Sequence, residues 1–341
     1  MESKYLNPIF FNRNRVRRIY TGGKLFSEFF GDNSKDGFYP EEWVCSSTAA
    51  LNEGGTDPKE GISLTEDNEY FDDILLKHKS ELLGEREELG ILVKILDSGI
   101  RLPVQAHPDK EFSKKYLSSE HGKAESWIIL ETRENAAVYF GFKEKITLEE
   151  FENALNKGEN AITPLLNKIP VKPGDVFFVP AKSVHAIGYG CMLLEIQEPT
   201  DFTIQPEATC GDCVLSDNVK YLGLSKEDAF KCFDMDLVGE SAIVTAKKIP
   251  KTAGNSEMLI SYEDTPCFSV NRYNINCGET NTLTAPAIYV VTSGAGTVEG
   301  NNYKRSIKKG DYFFMPFSAK DKFKIKSMNS IQIVECLPPK E

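Results

Sequence analysis

VKPGDVFFVPAKSVHAI, residues 171–187, returns without a gap as IKKGDYFFMPFSAKDKF, residues 307–323. Gly174 falls on Gly310, Asp175 on Asp311 and Pro180 on Pro316. A Gly-Asp pair ahead of four apolar residues and a proline predicts a tight turn feeding a buried strand. Glycine tolerates positive φ, and proline cannot donate to a continuing ladder. Two copies predict two related β units. Ahead of the second copy, VVTSGAGTVEG (290–300) supplies a further strand, Gly-rich turn and strand.

Much of the remaining chain follows the same pattern. LGILVKIL, SWIIL, AAVYF, DVFFVP, CMLLEIQ, AIYVVTSG, DYFFMP and SIQIVEC are short apolar runs broken by Gly, Pro or Asp. Such runs predict strands, and many strands with few helices predict a barrel or sandwich. Helical periodicity is confined to EYFDDILLKHKSELL around residues 69–83, TLEEFENAL with Thr147 and Glu150 spaced as a capping box, and SKEDAFKCF opened by Ser225. The polar stretch 32–68, containing NEGGTDPKEG, is expected to be loops covering one face.

Composition narrows the function classes. A chain of 341 residues with 40% apolar content can bury a sizeable core, which argues against disorder. The formal charge of −11, with no long Lys/Arg stripe, disfavours nucleic acid as a partner. No run of 18 apolar residues occurs and MESKYLNPIFFNRNRVRRIY has no long apolar centre, so the expectation is a soluble, cytoplasmic protein with no membrane partner. The eight cysteines are then expected as thiols, with Cys210 and Cys213 of CGDC in a structural loop.

One apolar stretch spends its polar residues in pattern. In LPVQAHPDK (102–110), Gln105 and His107 are two apart, which in an extended chain puts both on one face. Gly99 precedes Gln105 by six positions, and Gly174 is followed by Pro180 and then His185. Glu125 opens ESWIIL. Two imidazoles, a carboxylate and an amide suit a divalent metal, whereas a lone inward histidine would more simply be a hydrogen-bonded core residue.

This paired spacing resembles the two cupin motifs, with Gln105 where the first histidine stands. Within cupins, the chain resembles type I mannose-6-phosphate isomerases. The similar segments are LVKILDSGIRLPVQAHPDK (92–110), GKAESWIIL (122–130), KPGDVFFVPAKSVHAIG (172–188) and LLEIQEPTDFTI (193–204), with a weaker echo in YTGGKLFSEFFG (20–31). The resemblance implies a mainly β protein of two cupin, jelly-roll-like barrels with a small helical insertion. It divides the chain into a metal-bearing unit of residues 1–215 with an insertion at 143–168, a connector at 216–240, and a second cupin at 241–341. Asp321 stands where His185 does in the first copy, so the second unit is expected to lack metal.

The resemblance further implies zinc held by Gln105, His107, Glu125 and His185, and interconversion of mannose 6-phosphate and fructose 6-phosphate through an enediol. Lys123 resembles the family's active-site lysine, and Glu195 and Asp201 match acidic positions at its pocket. Two departures stand out. Gln205 occupies the place of an arginine credited with catalysis, and Pro103 that of a serine associated with substrate phosphate. An amide supplies no permanent charge and proline no hydroxyl. Lys123, Lys172 and Lys182 are the candidates to make good the missing charge. Two alternatives therefore stay open: a metal-holding cupin that binds a sugar without isomerising it, and an Fe(II) oxygenase built on His107, His185 and Glu125.

Overall fold

Both copies of the repeat make the turn that their glycines predict. Gly174 sits at φ +92° and Gly310 at φ +89°. The following aspartate folds back in each, Asp175 accepting from Lys172 N at 3.1 Å and Asp311 from Lys308 N at 2.9 Å. A buried four-residue strand leaves each turn. These features come from a computed structural model that describes residues 4–300 and 302–340.

Residues up to 197 contribute β1 (Ile9–Phe10), β2 (Arg15–Val16), β3 (Glu41–Val44), β4 (Leu92–Asp97), β5 (Glu125–Thr132), β6 (Ala137–Phe142), β7 (Leu166–Pro170), β8 (Val176–Val179), β9 (His185–Ile187) and β10 (Cys191–Gln197). A hairpin of β11 (Thr209–Cys210) and β12 (Cys213–Val214) and a short β13 (Lys247–Lys248) follow. Then come β14 (Lys251–Ala253), β15 (Ser256–Ile260), β16 (Ser269–Glu279), β17 (Ala287–Gly300), β18 (Tyr303–Lys308), β19 (Tyr312–Met315) and β20 (Phe323–Leu337).

Seven of these strands form an antiparallel sheet in the order β13-β8-β5-β10-β4-β3-β2, and β7-β6-β9 form a separate three-stranded sheet. An eight-stranded sheet runs β1-β19-β17-β20-β16-β15-β14, with β18 added on β17. Side-chain alternation divides the core. From the seven-stranded sheet, Val93, Ile95, Ile128, Met192, Leu194 and Ile196 pack with Val270, Ile288, Val290 and Val334 of the eight-stranded sheet. The opposite face sends Trp127, Ile129, Phe177, Val179 and Leu193 against Val138, Phe140 and Ile187 of the three-stranded sheet. A sheet covered on both sides needs apolar residues at both parities, which is why β8 reads as an unbroken hydrophobic run and β4 and β10 carry apolar residues on both faces around a few polar ones. Each fully buried Val, Ile or Leu contributes roughly 1.5–3 kcal/mol.

The expected pair of cupin barrels is not found. Among the described residues no sheet closes on itself, and the architecture is a mixed α/β fold of open sheets. Closure requires the two edge strands to hydrogen-bond to each other. In the seven-stranded sheet those edges are β2 and β13, two residues each, too short to offer a ladder. The β7-β6-β9 strands pair among themselves as a layer instead of bridging those edges. Helical content is also wider than one insertion. Besides Leu148–Lys157, the helices expected around 69–83 and after Ser225 form as Phe71–Lys77, Lys79–Leu83 and Lys226–Phe230, and unexpected ones lie at Phe26–Phe30, Asp217–Tyr221 and Gly239–Ala246. The Thr147–Glu150 capping box forms as its spacing predicts, and Ser225 caps the helix it opens. The polar stretch 32–68 is not loop throughout: it contains β3, an inner strand of the seven-stranded sheet.

Chain crossings join the two large sheets. β1 pairs with β19, and β13 pairs with β8. Tyr312 OH donates to the buried Glu42 carboxylate at 2.5 Å, and Arg15 Nε reaches the same carboxylate at 2.6 Å. All eight cysteines are free thiols. No helix among the described residues is long and apolar enough to cross a membrane.

Candidate metal centre

Three buried side chains converge between the seven-stranded and three-stranded sheets. Glu125 is the first residue of β5, and His185 the first of β9. His107 comes from the extended stretch after Leu102, which is held by paired backbone bonds, Gln105 N to His185 O at 2.9 Å and His185 N to Gln105 O at 3.0 Å. His107 Nε2 lies 3.1 Å from Glu125 Oε2, and His185 Nε2 lies 3.4 Å from Glu125 Oε1. The candidate ligand atoms of all three lie within 4.8 Å of one another.

These contacts are not hydrogen-bonded ion pairs. His107 Nδ1 meets the Phe202 carbonyl at 2.9 Å, and His185 Nδ1 meets the Ser183 carbonyl at 2.9 Å. A carbonyl only accepts, so both Nδ1 atoms carry the proton and each neutral ring turns a bare Nε2 lone pair toward Glu125. Burial pushes both imidazoles below their usual range, which keeps them neutral. His107 Nε2, His185 Nε2 and Glu125 Oε2 are all left without a hydrogen-bond partner. An orphaned buried polar atom costs about 1–3 kcal/mol, so three facing acceptors would be strongly unfavourable unless a cation lay between them. The donor set fits a divalent ion. Gln105, 7% exposed, lines the adjoining cavity and brings an amide to the same region.

That cavity, about 420 Å³, is lined by the other residues of interest: Lys123, Glu195, Asp201, Gln205 and Pro103. Lys172 and Lys182 are not among its lining residues; the Lys172 ammonium is bound by Asp175 at 2.7 Å. The cavity floor is a row of charges crossing the seven-stranded sheet. Glu195 of β10 stands opposite Lys94 of β4, with Lys94 Nζ 3.4 Å from Glu195 Oε1 and 3.8 Å from Glu41 Oε2 on β3. Glu41 also accepts from Tyr20 OH at 2.6 Å and Trp43 Nε1 at 2.7 Å, and pairs ionically with Arg18 Nε at 2.9 Å. Arg18 then grips Asp201 with both terminal nitrogens, at 2.5 and 2.9 Å, and Leu51 N adds a third bond at 2.8 Å.

The environment pulls these carboxyls apart. Burial raises Glu195 to about 7 although Lys94 opposes it. Burial acts the same way on Glu41, but Arg18 and Lys94 overcome it and hold the group well below the usual carboxylate range. Asp201 is likewise held down by Arg18 against its burial. Burial lowers the Lys123 ammonium, helped by the neighbouring Lys94; Lys123 Nζ lies 3.7 Å from Glu125 Oε2 and donates to Thr203 Oγ1 at 3.4 Å. Groups driven to opposite protonation states in one cleft are what proton-transfer chemistry requires.

Arg18, Glu41 and Lys94 escaped the sequence analysis. Lys94 is the one charge inside LGILVKIL, and a lone lysine in a run that must be buried on both faces is a usable signal. Arg18 and Glu41 lie in polar segments where nothing local distinguishes them.

No family model matches the chain. It is 28% identical over 320 residues to mannose-6-phosphate isomerase of Streptococcus mutans, covering 92% of this chain and 93% of that protein. The chain is similar to mannose-6-phosphate isomerases. Mannose-6-phosphate isomerase ManA of Bacillus subtilis is 29% identical over 247 residues, covering 71% of this chain and 75% of that protein. The crystal structure of mannose 6-phosphate isomerase from Bacillus subtilis superimposes with a TM-score of 0.75 at 24% identity, covering 96% of this chain and 99% of the other. The fold is therefore shared along almost the whole length.

Proposed function

We propose that this protein is a metal-dependent aldose-ketose isomerase that interconverts mannose 6-phosphate and fructose 6-phosphate. One observation carries the assignment. Three buried lone-pair donors with no hydrogen-bond partner face one another, and one of them, Glu125, lines a cavity whose floor includes a carboxyl poised near neutral pH. Full-length similarity to mannose-6-phosphate isomerases supports the substrate.

His107, Glu125 and His185, with the Gln105 amide, would hold the ion, for which zinc is our choice given nitrogen and oxygen donors. A bound divalent cation there supplies positive charge to the sugar oxygens on which negative charge grows. The chain's own groups divide the rest of the work. Glu195, near 7, can take a proton from carbon and return it to the neighbouring carbon, with the Lys94 ammonium 3.4 Å away keeping it aimed. Lys123, buried and partly depressed, can donate to a substrate oxygen. Asp201, held ionised, accepts from sugar hydroxyls, and the Gln205 amide on the same lining orients them. The eight free thiols support a cytoplasmic location.

A second function, sugar binding without isomerisation, is favoured by one specific feature: Pro103 and Gln205 both line the cavity and bring no charge. Solvent-exchange measurement separates the two. Metal-loaded protein incubated with mannose 6-phosphate in deuterium oxide is expected to place deuterium at C1 or C2 and to form the ketose. Binding without label incorporation would select the non-catalytic alternative, and iron-dependent oxygen consumption would select an oxygenase.

A further inference from the structure

The far end of the charged row, three strands from Glu125, holds a cation that no sequence motif marked. Arg18 follows the edge strand β2, and its side chain is 12% exposed where it lines the cavity. Three of its five N–H groups have hydrogen-bond acceptors in the protein, and Nε pairs ionically with Glu41 at 2.9 Å. Nη1 reaches Asp201 at 2.9 Å and Asn52 at 3.4 Å, and Nη2 reaches Asp201 at 2.5 Å. The second hydrogen on Nη2 meets no acceptor among the described residues. The guanidinium is also steadied from below, its carbon 5.4 Å from the Trp43 ring centre.

Charge adds a second line of argument. Arg18, Lys94 and Lys123 share the lining with Glu41, Glu53, Glu125, Glu195 and Asp201. With Glu195 ionised, three cations against five carboxylates leave two excess negative charges, which one divalent ion cancels. Without Arg18 the loaded cavity would turn negative, and a phosphate dianion would be repelled from it.

We propose that Arg18 is the substrate-facing guanidinium of this pocket. It holds Asp201 in place and offers its remaining Nη2–H to an oxygen of the bound sugar phosphate, supplying charge that Gln205 and Pro103 do not. The role rests on the isomerase site proposed above, yet it can fail separately. An arginine with only a structural part would tie the chain around Arg18, Leu51 and Asp201 together just as well, so the test must read more than stability.

The metal-loaded wild type is compared with Arg18→Lys and Arg18→Ala, using mannose 6-phosphate for initial rates and for calorimetric Kd. Arg18→Lys should keep Tm within a few degrees while losing about tenfold or more in kcat/KM, because one ammonium cannot hold both Asp201 oxygens and offer a further donor. Arg18→Ala should lose about a hundredfold, and millimolar guanidinium chloride should recover about fivefold or more of that without raising Tm. Wild-type kcat/KM in the lysine variant overturns the proposal, as does absence of rescue in a folded alanine variant. If the alanine variant does not fold, the lysine variant decides alone. If the wild type binds the sugar phosphate but does not isomerise it, the isomerase assignment falls and Arg18 is judged by the same ratios in Kd. If it neither binds nor isomerises, both fall.

Discussion

Lys94 Nζ lies 3.4 Å from Glu195 Oε1 on the neighbouring strand, and both side chains are buried. The ammonium favours the ionised carboxyl while burial opposes it, and the balance leaves Glu195 near 7. If ionised Glu195 is the base, kcat/KM should rise with pH through about 7 and then level off. Lys94→Met removes the opposing charge, so the rising limb should move to higher pH and activity at pH 7 should fall about tenfold or more. A limb that stays put, or moves to lower pH, would rule out Glu195 as the titrating base.

An ion held between the facing lone pairs of His107 and His185 would be part of the fold as well as of the chemistry. Chelation should abolish isomerisation and lower Tm, and one equivalent of zinc should restore both, since a ligand bound only by the native state stabilises it by about 2.7 kcal/mol at a hundred times its Kd. His185→Ala should weaken metal binding by about a hundredfold or more, measured as metal content after dialysis. Full zinc occupancy in that variant would argue against the cluster as the site.

Glu41 couples the site to acid stability. Its folded carboxyl is held well below the ordinary 4.5 by Arg18 and Lys94, so its contribution is complete above about 4.5 and is lost as pH falls toward the folded value. Glu41→Gln leaves two cations short of a partner and should cost about 3–5 kcal/mol at pH 7. The gap to wild type should narrow as the pH of the denaturant titration drops below about 4.5. A gap that is constant or widens in acid would contradict the charge assignment.

Gly22 places the segment that carries Arg18 and Tyr20. A Cβ there would fall 1.7 Å from the Asp97 carbonyl oxygen, and Gly22 and Gly37 exchange backbone bonds at 2.9 and 3.0 Å. Because the clash is with backbone, side-chain rotation cannot relieve it. Gly22→Ala should cost about 3 kcal/mol or more in unfolding free energy and disturb the Arg18–Asp201 contact. An alanine variant with wild-type Tm and rate would show that the segment shifts freely.

The site was legible where chemistry follows local spacing. Gln105 and His107 share a face because an extended chain alternates, and His185 follows the Gly174 turn at a fixed interval. Both relations survive whatever the sheets do. Lys94, Glu41 and Arg18 were not legible, because they meet Glu195 and Asp201 only after β4 settles between β10 and β3 and the segment after β2 folds over the edge. β3 itself hides in a stretch whose composition signals loops, since Glu41 and Glu42 are buried by partners distant in sequence.

Sequence alone determined the repeated Gly-Asp turn, the strand-rich core and the placing of Gln105 and His107 on one face, all properties set by residue type and short-range geometry. Tertiary structure decided whether the sheets close, which strands lie side by side, and therefore which buried charges meet. The two-residue edges β2 and β13 leave the seven-stranded sheet open, and the lateral order of its inner strands brings Glu195, Lys94 and Glu41 into one row. Neighbours across a sheet are set by packing between distant segments, a cooperative outcome that no single stretch of chain encodes.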